Sequence, residues 1–223
     1  MSVEVHVVRV FADERGELGN ELGVIRSGAE TAGREQGIAA RLGFSETVFV
    51  DGVADGIARA RIFTPASELP FAGHPTVGLA WWLASQGQPV DALDVPAGRV
   101  GVERDGDVVR VEARPEWAPA FEWHELASPA EVDALDPSVA TEGEHYFWAW
   151  TDEAAGAIRS RMFAPALGIR EDEATGAAAV ALTGRLGRDL DITQGRGSRL
   201  RTRFLGETVT VGGRTVADRV LAL

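Results

Sequence analysis

The sequence predicts an α+β protein of two similar halves, each a curved, mostly antiparallel, barrel-like sheet around one buried helix. The main observation is an internal repeat: the segment RARIFTPA at 59–66 recurs as RSRMFAPA at 159–166, with five of the eight positions identical. After each copy comes a loop and then a helix of small and apolar residues, the first beginning near Gly73 and the second near Gly176. A single repeat at this spacing indicates a duplicated domain, because a solenoid needs at least three short units.

The elements of the first half follow from periodicity and turn residues. Alternation and turn signals predict strands at 3–11, 44–50, 57–63, 99–104 and 107–113. A glycine-rich loop is expected after the first strand. One helix is predicted over 32–42, and a second runs from Thr76 to about Ser85. The second helix is apolar on most sides, as a buried central helix is.

The second half repeats this order after a proline-rich linker candidate at 114–119. Ser128 opens a short helix with a cap and a proline at its first position, and a buried helix runs from Gly176 to about Leu186. Strands are predicted at 144–150, 157–163, 199–205, 207–211 and 214–222. The chain therefore divides into an N-terminal half, 1–113, and a C-terminal half, 114–223. A cleft between two such halves is where a small molecule usually binds.

Composition excludes several classes of partner. The 223 residues carry a net charge of −12, whereas a nucleic-acid or anionic-membrane partner requires a basic surface. There is no cysteine, which excludes disulfides, thiolate metal sites and cysteine nucleophiles. No apolar run approaches the length of a membrane span, and the N-terminus lacks the features of a signal peptide. A cytoplasmic protein that acts on a small molecule is expected.

Glu46 is the first candidate catalytic residue. Strand alternation places it on the same face as Phe44, Val48 and Val50, and an apolar surrounding is costly for a carboxylate. Desolvation is expected to raise its pKa into the range of a general acid or base. The alternation alone also allows the opposite arrangement, in which Glu46 faces water.

The two helix starts supply the remaining candidates. His74 and Asp172 lie in matching places of the two repeats, beside Gly73 and Gly176. A helix N-terminus presents unpaired N–H groups and a positive dipole end, which suit a bound carboxylate. Glycine there lets the backbone approach a ligand closely. The sequence alone is equally consistent with structural roles, in which His74 is an ordinary capping histidine and Asp172 is a loop carboxylate.

Three motifs carry a resemblance to a known family. They are Ser45-Glu46-Thr47, the stretch from Glu68 to Gly78 (ELPFAGHPTVG), and the stretch from Gly168 to Gly176 (GIREDEATG). By these motifs the chain resembles the PhzF-like isomerases of phenazine biosynthesis, which share the diaminopimelate-epimerase-like fold. The resemblance runs from the first strand to the last hairpin.

The resemblance implies a proton transfer without a cofactor, on a small carboxylic acid held between the halves. It implies that Glu46 shuttles the proton and that His74 and Asp172 support it. Homodimerisation is a further implication. The residues that match the substrate-contacting positions of the family are Asn20, Gly73, Thr76, Thr175, Gly176, Ala177 and Ser198.

The sequence departs from the family at one position of the site. Ala177 stands where the family usually has a serine, so one hydroxyl is missing. This favours an alternative in which the chain is a non-catalytic binder of small acids, whereas the intact set of Glu46, His74 and Asp172 favours catalysis. The two cysteines of the epimerases with this fold are absent, which excludes a two-cysteine racemisation.

Other enzyme classes lack their motifs. There is no Gly-x-Ser-x-Gly elbow of a serine hydrolase, and the glycines at 195–197 do not form a dinucleotide fingerprint. The four histidines are scattered along the chain and show no metal-ligand spacing, so no metal site is predicted.

Overall fold

The computed structural model describes residues 2–106, 108–165 and 168–223. Within them, fifteen strands form one continuous sheet that wraps around two buried helices, which confirms the predicted α+β class. Within the same residues, no helix has both the length and the apolar character that a membrane crossing requires.

Eight strands of the sheet close into a barrel in the first half. In order around the barrel they are β1 (Glu4–Ala12), β2 (Asn20–Arg26), β3 (Glu46–Ala54), β4 (Ile57–Phe63), β6 (Ala92–Val95), β7 (Gly98–Asp105), β8 (Val108–Ala113) and β15 (Val209–Ala222). The ring closes because β15 pairs antiparallel with β1. Helix α2 (Gly73–Ser85) fills the barrel, and ten of its residues are buried. Helix α1 (Glu35–Leu42) packs outside, and the two-residue strand β5 (Glu68–Leu69) pairs with β4.

The second half continues the same sheet but ends at an open edge. From β15 the order is β14 (Ser198–Phe204), β13 (Leu190–Gln194), β11 (Ala157–Ala164), β10 (His145–Asp152) and β9 (Glu122–Glu125), with β12 (Ile169–Asp172) paired to β11. Helix α4 (Gly176–Leu186) is the buried helix here, and α3 (Pro129–Asp133) is the short helix that Ser128 caps. The described parts of the repeats that lie in strands, 59–63 and 159–164, belong to β4 and β11. Each of these strands pairs antiparallel with the strand before it and parallel with β6 or β13, so the two have equivalent places in the sheet.

The last strand joins the two halves. Sequence analysis predicts two strands at 207–211 and 214–222, whereas the structure has one strand of 14 residues. Its first part pairs with β8 and β14, and its second part pairs with β1. One hydrophobic core consequently runs through both halves and includes Leu79 of α2 and Val180 of α4. The division at residue 113 stays a prediction, and the N-terminal barrel is completed by a strand from beyond it.

The strands that the sequence pattern does not indicate are β2, β5, β6, β9, β12 and β13, and two of them show the reasons. β2 occupies the predicted glycine-rich loop, and β13 falls in a segment without a predicted element. Four consecutive residues of β2, from Leu22 to Ile25, are buried. A strand that is buried on both faces loses the alternation that identifies strands in a sequence.

Candidate active site

The N-termini of the two buried helices meet at a pair of glycines. A Cβ on Gly73 would lie 2.8 Å from the carbonyl carbon of Gly176, and a Cβ on Gly176 would lie 2.7 Å from the backbone nitrogen of His74. Any larger residue at either position would push the helices apart. Neither N-cap residue, Ala72 or Thr175, caps its helix with a side-chain hydrogen bond. The positive ends of both helix dipoles are therefore brought to one place.

A cavity of about 280 Å³ lies at this junction. Three carboxyl groups face it, from Glu46, Glu144 and Asp172. The rest of its lining is mostly apolar and comprises Leu69, Pro70, Phe71, Ala72, Trp117, Ala118, Pro119, Phe121, Met162, Ala164, Ile169, Thr175 and Ala177. The lining comes from both halves, and the predicted linker at 114–119 forms part of the wall.

Glu46 and His74 form a buried pair. Nδ1 of His74 lies 2.9 Å from Oε2 of Glu46, and the two side chains are only 2% and 14% exposed. Burial opposes ionisation of Glu46, but the hydrogen bond and the charge of His74, with a further bond from Ser45, outweigh it, and the pKa of Glu46 lies below its ordinary value. The expectation of a raised pKa at Glu46 is therefore wrong, because sequence alone does not show its partner.

The two ring nitrogens of His74 differ in their hydrogen bonding. An ionised carboxylate only accepts, so Nδ1 donates its proton to Glu46. Nε2 of His74 is buried and has no hydrogen-bond partner among the residues that the structure describes. An unpaired buried polar atom is costly in a folded protein, and a functional role is one explanation for it. His74 therefore has one nitrogen committed to Glu46 and one available.

Asp172 is held by donors from both halves. Its Oδ1 accepts from Nδ2 of Asn20 at 2.6 Å, and its Oδ2 accepts from the hydroxyl of Thr175 at 2.6 Å. Oδ1 of Asn20 in turn accepts from the hydroxyl of Ser45 at 3.1 Å, which connects Asp172 to the start of β3. Burial, followed by the charge of Glu46, raises the pKa of Asp172 to about 7.

Gln194 hydrogen-bonds to both Asp172 and Thr175 and so fixes their positions. Its Nε2 donates to the backbone oxygen of Asp172 at 2.9 Å and to the hydroxyl of Thr175 at 2.8 Å. Its Oε1 accepts from the backbone N–H of Thr175 and from the hydroxyl of Tyr146. Sequence analysis missed Gln194; the available signal is its alternate position after Leu190 and Ile192, which places all three on one face of the strand.

Glu144 is a second residue that sequence analysis missed. It lies half-buried immediately before β10 and lines the cavity. Burial and the charge of Glu46 raise its pKa. No motif marks it, because it becomes part of the site only when the two halves meet.

Two predicted substrate contacts are engaged elsewhere. The hydroxyl of Thr76 donates to the backbone oxygens of Ala72 and Gly73 within its own helix. The hydroxyl of Ser198 donates to Glu173 at 2.8 Å and accepts from the backbone N–H of Gly19. Asn20 reaches the site through Asp172, whereas Thr175 and Ala177 line the cavity directly.

Side chains that could hold a metal ion lie together outside the cavity. Among the described residues, a set of three metal-ligating side chains with mutually close donor atoms lies away from the cavity, at Glu122, His124 and His145. Two of the four histidines, His124 and His145, are brought together by the fold although they are 21 residues apart in the sequence. The absence of a metal from the proton-transfer site stays a prediction.

Comparison with known proteins identifies the relatives of the chain. The sequence model of the phenazine biosynthesis-like proteins, PhzC-PhzF, matches residues 8–146 and 125–204. The trans-2,3-dihydro-3-hydroxyanthranilate isomerase of Pseudomonas aeruginosa is 32% identical over 85% of this chain and 82% of its own.

Solved structures show the same fold. A PhzF-family protein of Enterococcus faecalis covers 100% of this chain and 99% of its own, with a TM-score of 0.79 at 22% identity. A probable proline racemase of Agrobacterium radiobacter covers 99% of this chain and 92% of its own, with a TM-score of 0.67 at 13% identity. The resemblance and the epimerase-like fold expected from the motifs are confirmed.

Proposed function

The chain belongs to the PhzC/PhzF family of phenazine biosynthesis-like proteins and is an isomerase, and from that premise we propose that it moves a proton within a small cyclic or unsaturated carboxylic acid. In this proposal Glu46 is the general base and then the general acid, and the reaction needs no cofactor. His74 and Asp172 orient the substrate and stabilise the charge that develops.

The observation that carries the proposal is the separation of pKa values inside one cavity. Glu46 is favoured as a carboxylate, whereas Asp172 has a pKa of about 7 and is protonated in a large fraction of molecules at neutral pH. Two carboxyl groups whose environments move their pKa values apart are a common arrangement for acid–base catalysis. Because the two groups are coupled, a proton accepted by one alters the proton affinity of the other.

The shape and polarity of the cavity support the class of substrate. A volume of about 280 Å³ lies near the lower end of the range of small-molecule sites, which suits an acid with a single ring. The walls from Phe71, Phe121 and Met162 suit an apolar ring face. The two helix N-termini provide N–H groups and dipoles for the carboxylate of the acid.

The proposed reaction balances without an oxidant or a reductant. The carboxylate of Glu46 removes a proton from a carbon next to the unsaturated system, and the electron pair of the broken C–H bond shifts the double bond. The protonated Glu46 then returns the proton to a different carbon of the same molecule. The low-dielectric cavity strengthens the interactions that stabilise the intermediate charge.

The alternative is a binder of small acids that has lost its chemistry. It is favoured by Ala177, which lines the cavity where the family usually has a hydroxyl. The paired Glu46 and His74, at 2.9 Å, favour catalysis, because a binder has no need to maintain an ionised and buried carboxylate.

Proton NMR in D₂O distinguishes the two. The first compound is trans-2,3-dihydro-3-hydroxyanthranilate, the acid in the name of the P. aeruginosa relative, followed by a panel of cyclohexadiene and amino-hydroxy carboxylic acids. A shifted double bond, or deuterium that enters a carbon position, supports the isomerase. Broadened ligand lines without any exchange across the panel support the binder and contradict the proposal.

A further inference from the structure

Away from the cavity, the edge of the second sheet gathers Glu122, His124 and His145. β9 and β10 pair in parallel, with His145 opposite Glu122 and Phe147 opposite His124. Residues two apart on a strand share a face, so all four side chains lie on the same face of these two strands. Trp123 and Tyr146 lie on the other face, where their rings pack together with centroids 5.6 Å apart. The three ligand-type side chains are thus separated from the core by the sheet itself.

The donor atoms of the three side chains converge. Nε2 of His124 lies 3.1 Å from Nδ1 of His145, and that Nδ1 lies 3.6 Å from Oε2 of Glu122. All three donor atoms lie within 4.8 Å of one another. Two nitrogen ligands about 2.1 Å from a tetrahedral zinc ion are about 3.4 Å apart, so the separations of 3.1 and 3.6 Å are close to two edges of one coordination tetrahedron.

The surroundings orient both imidazoles for this role. Nε2 of His145 lies 2.6 Å from the backbone oxygen of Glu142, and since a carbonyl only accepts, Nε2 carries the proton. The lone pair of His145 is then on Nδ1, which faces His124 and Glu122. A histidine that ligates a metal commonly donates its other N–H to a carbonyl in this way. The ring of His124 is held by stacking on Phe147, with centroids 4.3 Å apart and planes 14° apart.

From this geometry we propose that Glu122, His124 and His145 form a binding site for a divalent transition metal of the zinc class. Two imidazoles and one carboxylate are ligands that suit Zn²⁺, and three protein ligands leave a fourth position for water. Glu122 is exposed, so the ion enters directly from solvent.

The position of the site gives the metal a structural consequence. Phe121 and Glu144 each directly precede a ligand and line the cavity, and a backbone hydrogen bond from Glu122 to Glu144 joins the two segments. A bound ion therefore connects the edge strand β9 to β10 and stabilises one wall of the cavity from outside. This proposal is independent of the proton-transfer mechanism.

Calorimetric titration with Zn²⁺ of the chelator-treated full chain tests the site. The wild type is expected to bind one ion, and Glu122→Gln and His124→Ala are each expected to weaken binding by at least about 10- to 100-fold, the scale of losing even an outer-shell partner. Glu122 is 60% exposed, so Glu122→Gln leaves the fold intact. His6→Ala is the matched control, because among the described residues the one carboxylate that His6 contacts is that of Glu4, at 2.8 Å.

Hydrogen exchange supplies a second readout. At a Zn²⁺ concentration just sufficient to saturate the wild type, the ion is expected to slow amide exchange at 122–125 and 145–148 in the wild type and in His6→Ala, and to slow it much less in Glu122→Gln. Absence of binding up to millimolar Zn²⁺ would overturn the proposal. Equal affinity in the wild type and both ligand variants would overturn it as well, because the ion would then bind elsewhere.

Discussion

The imidazole of His74 contacts the carboxylate of Glu46 over 2.9 Å, between the start of a buried helix and the start of a barrel strand. This contact keeps Glu46 ionised despite its burial. Burial alone would favour the protonated form of Glu46, whereas the contact with His74 favours the carboxylate, which can act as a base at neutral pH.

Removal of His74 is expected to change the pH dependence of activity. In His74→Ala the hydrogen bond and the charge are lost while burial remains, so the pKa of Glu46 rises. If ionised Glu46 is the base, the acid limb of the kcat/KM profile moves to higher pH. The measurement is a pH–rate profile of the variant and of His6→Ala, whose profile should match that of the wild type. An unmoved acid limb in His74→Ala would show that Glu46 is not the titrating base.

Asp172 is expected to make folding stability depend on pH. Its pKa is about 7 in the folded state and about 3.9 in an unfolded chain, so the folded state retains a proton that the unfolded state releases. The free energy of unfolding contributed by Asp172 is therefore present below about pH 4 and is lost as the pH rises to about 7. In Asp172→Asn this dependence disappears. Urea unfolding of both proteins across this window measures the difference, and parallel curves would contradict the assignment.

The glycine contact between the helices is expected to tolerate no side chain. In Gly73→Ala the new Cβ meets the backbone of Gly176 at 2.8 Å, and overpacking of this kind costs about 1–3 kcal/mol. Gly37→Ala is the control, because Gly37 lies within α1 with no heavy atom within 4 Å of a new Cβ, and alanine there should stabilise by about 1 kcal/mol. Urea unfolding measures the change in stability of each variant, because a shift of the midpoint at an unchanged m-value reports a change in the free energy of unfolding. Equal destabilisation by the two variants would mean that the helix junction is not tightly packed.

Ala177→Ser tests where the carboxylate of the substrate lies. The new hydroxyl faces the cavity at the start of α4 and offers one more donor. One neutral hydrogen bond contributes about 0.5–1.5 kcal/mol, so kcat/KM is expected to rise by about 2- to 10-fold, mainly through KM. Ala181→Ser places the same hydroxyl further along α4, outside the cavity lining, and should have no effect. A fall in kcat/KM only in Ala177→Ser would indicate that the substrate fills this space with an apolar group.

Local patterns predicted much of the fold. The repeated segment predicted the equivalence of β4 and β11, and the small-residue runs after each copy predicted α2 and α4. These signals are local, because they depend on the burial of a helix or on the alternation of a strand. The pairing of the last strand, β15, with the first, β1, is a contact between opposite ends of the chain, and no local pattern encodes it.

The site was predictable only where the motif itself carries the chemistry. Glu46, His74 and Asp172 lie in recognisable motifs, and the structure places them around one cavity, whereas their catalytic roles stay a prediction. Glu144 and Gln194 were missed because their roles arise from contacts across long stretches of chain. The pKa of Glu46 was misjudged for the same reason, since its direction is decided by a partner 28 residues away.

The rate of turnover by Glu46→Gln tests the central claim most directly. An acid from the panel that the wild type isomerises is followed by NMR in D₂O with the wild type, Glu46→Gln and Glu103→Gln, an exposed control on β7. Loss of the carboxylate is expected to lower kcat by about 10²- to 10⁴-fold, whereas Glu103→Gln keeps the wild-type rate. Folded Glu46→Gln that isomerises the acid at the wild-type rate would contradict the claim that Glu46 moves the proton.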